Sequence, residues 1–148
     1  MKNLVIHSTL TEEDFNISGE SIAQSHVDDD DLKICSFQDV IKLDGTIESL
    51  VQYNPNRIDN WIYKEDYESL KNNSRHIGYV GGVVNGFTRN TISRAQKKSL
   101  GIYIKYMLLR FPDLNIVGYS KVSGYDSEGF NVSSFLKEIK TDLVLINL

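Results

Sequence analysis

Ile77-Gly78-Tyr79-Val80-Gly81-Gly82, Arg94-Ala95-Gln96-Lys97-Lys98-Ser99-Leu100 and Phe111-Pro112-Asp113-Leu114-Asn115-Ile116-Val117-Gly118 follow one another as a strand, a helix and a second strand. The first run is rich in β-branched and aromatic residues and stops at a Gly pair. In the second, Ala95, Ser99/Leu100, Tyr103/Ile104 and Met107/Leu108 recur near the helical spacing, with Lys97, Lys98 and Lys105 mostly on other faces, so the pattern predicts a helix from about Ser93 to Leu109. Pro112 cannot continue a helix, and the apolar run 114–118 after it reads as a strand. Strands alternating with helices decide the class as α/β.

Outward from this unit, Val40-Ile41-Lys42-Leu43-Asp44-Gly45-Thr46-Ile47 reads as a hairpin, Asp-Gly being suited to a primed two-residue turn. Leu4-Val5-Ile6 is a short β-rich run, and residues 18–26 form a short helix opened by a Ser cap. Residues 131–139 read as a last helix. The apolar end, Asp142-Leu143-Val144-Leu145-Ile146-Asn147-Leu148, gives 141–148 as an extra C-terminal strand. Such a strand either adds to the domain's own sheet or pairs with another chain. The expectation is one domain over 1–148, a central mixed β-sheet flanked by helices.

Composition narrows the function classes. The chain has 148 residues, 16 Lys+Arg, 20 Asp+Glu and a net charge of −4. Nucleic-acid binding draws on clustered cations, so an acidic chain makes it a poor reading. No run reaches the roughly 20 apolar residues of a membrane span, and the N-terminal apolar run is too short for a signal peptide. Synthesis in the cytoplasm is expected, with a virion as a further destination. The single cysteine, Cys35, rules out an internal disulfide and sits in an apolar run that suits a buried, inert thiol. Asp28-Asp29-Asp30-Asp31 lacks calcium-loop spacing; it reads as a solvated turn or, more sharply, as a match for a basic partner patch.

The segments Ile6-His7-Ser8-Thr9-Leu10-Thr11, 40–48, 77–82, 94–100 and 111–118, in this order, resemble the type 2 N-acetylmuramoyl-L-alanine amidases, the zinc family of phage lysozyme-amidases and peptidoglycan recognition proteins. The resemblance spans about residues 3–136. It implies the amidase fold and cleavage of the amide between muramic acid and L-alanine, by a zinc held on two histidines and a cysteine or aspartate. A catalytic zinc keeps three protein ligands and one open position. Carried over position by position, the first ligand is His7. The second falls on Tyr119, in Gly118-Tyr119-Ser120-Lys121, and the third on Ser127, beside Asp126. The two helper groups, a tyrosine and a lysine, fall on Phe37 and about Tyr125.

Two ligand positions and both helpers are therefore rewritten, and Phe37 has no hydroxyl to offer an oxyanion. Neither a bound metal nor catalysis is expected. His26 reads as a surface or half-buried residue, and His76 falls just before the third strand, outside any ligand position. Trp61 reads as core or groove, and Glu65 and Asp66 make the likeness's groove region more acidic. The leading expectation is a catalytically inactive amidase-like module that binds a protein partner or builds an assembly, as a phage virion or regulatory component. The alternatives are a non-cleaving peptidoglycan-binding module and an active zinc amidase with an altered metal site.

Overall fold

A computed structural model describes residues 2–22, 37–50, 74–123 and 128–146. Its centre is a five-stranded sheet of β1 (Asn3–Ser8), β3 (Asp39–Ile41), β4 (Ile47–Ser49), β5 (Ser74–Tyr79) and β8 (Asn115–Gly118), in the order β4-β3-β5-β1-β8. All neighbours are parallel except the β3–β4 hairpin, so the sheet is mixed, as expected. A second sheet was not foreseen: β2 (Thr11–Glu12), β6 (Gly82–Val84) and β7 (Phe87–Thr88) pair in the order β2-β6-β7. Gly81 and Gly82, the pair at which the strand was expected to stop, carry the chain from the large sheet into the small one at φ of 129° and 100°, which a side chain at either position would disfavour.

Helix α1 (Arg94–Arg110) lies against one face of the large sheet, with α3 (Val132–Ile146) beside it; the short α2 (Tyr119–Ser123) follows β8 directly. Leu4 and Ile6, Ile41, and Ile77 and Tyr79 meet Leu100, Ile104 and Met107 of α1 and Val132, Phe135 and Ile139 of α3. Strand alternation sends the intervening residues to the opposite face, where Val40, Val80, Phe37 and Ile22 form a smaller cluster.

Three expectations need correction. The hairpin turn is not a two-residue primed turn, because among its residues only Gly45 has positive φ (89°). Lys42 C=O accepts from Gly45 N–H at 2.9 Å and Lys42 N–H donates to Thr46 O at 2.8 Å, a three-residue loop with the glycine in the left-handed position. A Cβ there would also stand 2.9 Å from the Ala95 carbonyl, so the glycine lets the hairpin approach α1. Secondly, the start of the expected α1 face is corrected: Leu100, Ile104 and Met107 meet the core as expected, but Gln96 takes the place of Ala95. Ser93 and Gln96 form a capping box, Ala95 is exposed and Gln96 is buried. Gln96 Nε2 donates to Val80 O at 2.9 Å, satisfying a buried carbonyl that would otherwise cost about 1–3 kcal/mol.

Thirdly, the expected strand at 141–148 is helical through Ile146. Val132, Phe135/Leu136, Ile139, Leu143 and Ile146 recur every three to four residues, and this helical period outweighs the β-propensity of Leu143-Val144-Leu145-Ile146. The Ser-capped helix near the N-terminus is present at residues 19–22, where Ser18 Oγ accepts from Ser21 N–H at 3.1 Å. Among the described residues no helix is long and apolar enough to cross a membrane.

Candidate functional site

The face opposite α1 gathers His7, His76, Phe37 and Tyr119. His7 lies near the C-terminal end of β1 and is in register with Gly78 of β5, while Val5 is in register with His76. Alternation puts His7 and His76 on the same face, and their rings meet: Nε2 of His7 stands 2.7 Å from Nδ1 of His76. Of these two nitrogens one donates and the other accepts, so the His7 Nε2 is committed to the pair in either tautomer. His76 is fully buried, and that burial alone lowers its pKa to about 3, which keeps it neutral. Its backbone is held from β3, with His76 N–H donating to Gln38 Oε1 and Gln38 N–H to His76 O.

Aromatic rings close over the pair. Gly78 leaves room for Phe37, whose ring would stand 3.2 Å from a Cβ at that position and whose centroid is 5.1 Å from that of His7. Tyr119 stacks on His7 with centroids 4.4 Å apart and planes 26° from parallel. The stack is set by α2. Glu128 is buried, and its carboxylate accepts from Ser120 N–H at 2.9 Å and from the Ser120 hydroxyl, pinning the start of that helix directly after β8. Gly118 has no side chain to obstruct Glu128 and Val132, which close over it.

Solved structures match this architecture along almost the whole chain. A Thermus scotoductus bacteriophage endolysin, Ph2119, matches with 15% identity over 93% of this chain and 82% of its own, at a TM-score of 0.67. The endolysin N-acetylmuramoyl-L-alanine amidase LysCS of Clostridium intestinale matches with 18% identity over 96% and 82%, also at 0.67. The chain has the type 2 amidase fold. A human peptidoglycan recognition protein solved with glycosamyl muramyl pentapeptide shares that fold, at 18% identity over 82% and 72% and a TM-score of 0.60. No protein-family model matches the sequence, nor does any curated protein at a significant level.

In this amidase fold, three residues that the resemblance assigns to the catalytic centre come together: His7, Tyr119 and Phe37. Tyr125 and Ser127, with Asp126, lie outside the described residues, as do Trp61, Glu65, Asp66, Cys35, His26 and the 28–31 acidic run. The described side chains do not fit a catalytic zinc. Of the two described ligand positions only His7 carries a nitrogen, thiolate or carboxylate ligand of the kind zinc takes. Its Nε2 is engaged by His76 and its ring face is covered by Tyr119. Among the described residues no group of three or more His, Cys, Asp or Glu side chains could hold a metal.

His76 is the site residue that sequence reasoning missed. It lies inside β5, which begins at Ser74, and not before it. Alternation from Ile77 and Tyr79 would have put it on the face away from α1; its register with Val5 was not legible. A second polar cluster, under α1, was also unforeseen. Arg75 reaches Asp39 with two hydrogen bonds, Nε to Oδ2 at 2.6 Å and a terminal nitrogen to Oδ1 at 2.9 Å. The Tyr103 hydroxyl donates to Asp39 at 2.6 Å, and Ser49 does the same at 2.6 Å. Burial first, then the charge of Asp39, pushes the Tyr103 pKa well above its ordinary value.

Proposed function

We propose that this chain is a catalytically inactive module of the type 2 amidase fold that works by binding a protein partner or building an assembly, in a phage setting. The observation that supports inactivity most is the stack of Tyr119 on His7, with Nε2 of His7 tied to His76, at the two described positions where the resemblance places zinc ligands. The phage setting draws on the bacteriophage endolysin among the structural neighbours. Zinc hydrolysis draws its rate from an open, polarising cation beside the scissile carbonyl, and of the two described ligand positions only His7 offers a zinc-type ligand, with its Nε2 tied to His76.

Metal analysis after equilibration with zinc, paired with an assay for release of stem peptide from peptidoglycan, tests the reading. Zinc well below one equivalent and no release are expected. Stoichiometric zinc lost in His7→Ala, together with peptide release, would make the protein an active amidase with an altered site. Tyr119→His combined with Ser127→Cys is expected to gain zinc if the ancestral geometry survives.

A second reading, a non-cleaving peptidoglycan-binding module, is favoured by the neighbour that holds a glycosamyl muramyl pentapeptide. Pelleting of the intact protein with insoluble peptidoglycan, without cleavage, would establish it in place of the first. Absence of pelleting is the outcome the protein-partner reading expects.

A further inference from the structure

Helix α1 is apolar on two opposite faces. Gln96, Leu100, Ile104 and Met107 face the sheet. Ile102, Tyr106 and Leu109 follow one another at four and three residues, which places them within a narrow stripe about 180° from the core face. They are 59%, 55% and 78% exposed, so this stripe is open to solvent over two turns. An exposed apolar patch of this kind on a well-packed helix marks an interaction surface.

The charge around the stripe is one-sided. The helix carries Arg94, Lys97, Lys98, Lys105 and Arg110 and no acidic residue, within a chain whose net charge is −4. Lys97 is engaged, 3.5 Å from Glu138 and over the Phe135 ring. Arg94, Lys98 and Arg110 have no acidic partner among the described residues. By helical geometry Arg94, Lys98 and Lys105 flank one side of the stripe and Arg110 the other. Arg110 lies over the rings of Tyr106 and Phe111, 5.9 and 5.4 Å from their centroids. Beside it opens a cleft of about 620 Å³, where Tyr106, Met107, Phe111, Ile47 and Leu50 supply an apolar wall. Exposed aromatic and arginine side chains around a pocket are the composition of binding hot spots.

From this we infer that the outer face of α1 docks an acidic amphipathic helix of a partner protein. Apolar residues of that helix, spaced by three and four, would pack on Ile102, Tyr106 and Leu109. Its Asp or Glu side chains would flank them opposite Lys98 and Arg110. The spacing favours a helix because two helices interlock through rows of this period. Nucleic acid fits less well, since its phosphates call for contiguous cations, and here the cations are split by an apolar stripe. The inference names the partner class for the binding role proposed above. It uses the outer face of α1, on the side of the sheet away from His7, so its failure would leave the zinc and cleavage results standing.

The test titrates the intact protein with a synthetic helical peptide of about three heptads, carrying Leu at a and d and Glu at e and g, followed by fluorescence anisotropy at low salt. The same peptide with Lys at e and g is the control. Saturable binding of the acidic peptide alone is expected, weakening as salt rises. Affinity should fall at least about tenfold in Tyr106→Ser/Leu109→Ser and in Arg110→Glu, both with unchanged circular dichroism. No binding of the acidic peptide overturns the inference, as do equal binding of the basic one and indifference to both variants. It is likewise overturned if duplex DNA or phosphatidylglycerol vesicles compete for the same side chains, or if sedimentation shows that the stripe joins two copies of this chain.

Discussion

The two faces of the central sheet bury polar groups by opposite means. Under α1, Arg75 and Asp39 form a bidentate ion pair completed by Tyr103 and Ser49. On the other face, His7 and His76 share one hydrogen bond beneath the rings of Phe37 and Tyr119. The first solution keeps charge and neutralises it with a partner, which is stable only while both partners are present. The second depends on a fully buried histidine that burial holds neutral. Where the resemblance places the first zinc ligand, aromatic rings pack on His7. One face thus holds a paired charge and the other a neutral histidine beneath aromatic rings, and the two respond differently to mutation and to acid.

The largest expected effect breaks the charged side alone. Arg75→Met leaves a buried Asp39 without its cation and should cost about 3–5 kcal/mol in urea denaturation, whereas Arg75→Met with Asp39→Leu should recover most of that loss. A single-variant cost under about 1 kcal/mol would mean that the two faces do not differ in this way.

Acid separates the faces from the other side. The pKa of His76 is depressed in the fold, about 3 against an ordinary 6.5. Between those values the unfolded chain binds a proton that the folded chain refuses, so stability is present above pH 6.5 and is lost as pH falls towards 3. The loss between pH 7 and 5 should be about 2 kcal/mol, read from denaturation midpoints at each pH. Arg75→Met should keep this slope and His76→Gln should flatten it; the reverse pattern would assign the acid sensitivity to the wrong face.

Smaller changes sharpen the picture of α1, which covers the charged face. Ser93→Ala removes half of the capping box and should cost about 1 kcal/mol of thermal stability. Leu109→Ser on the open stripe should change stability by no more than about 0.5 kcal/mol, because no packed contact is lost there. A larger loss would show that the stripe is part of the fold's own packing.

Much of the architecture was legible because it rests on local periodicity. Residues 77–80 and 114–118 alternate or run apolar as strands do, and Pro112 punctuates the helix between them. Legibility failed where two local signals competed. The C-terminal run Leu143-Val144-Leu145-Ile146 carries β-propensity, yet it continues the helical spacing begun at Val132, and the longer period prevailed. It failed again at Gln96, a polar residue that belongs inside because a sheet carbonyl needs a donor. At the site, the resemblance carried by motif order named His7, Tyr119 and Phe37 together, and the structure sets them within one cluster of rings, with Tyr119 stacked on His7 and Phe37 tilted against it.

By itself, then, the sequence determined the class of the fold and the order of its main elements, since both are written in consecutive residues. Only the tertiary structure decided that His76 meets His7, that Arg75 meets Asp39 and Tyr103, and that Ile102, Tyr106 and Leu109 remain open. Those outcomes depend on strand register and helix rotation, which are set by side chains 28 to 69 positions apart packing on one another. No local pattern encodes such a register, because it is the sum of a whole sheet's contacts.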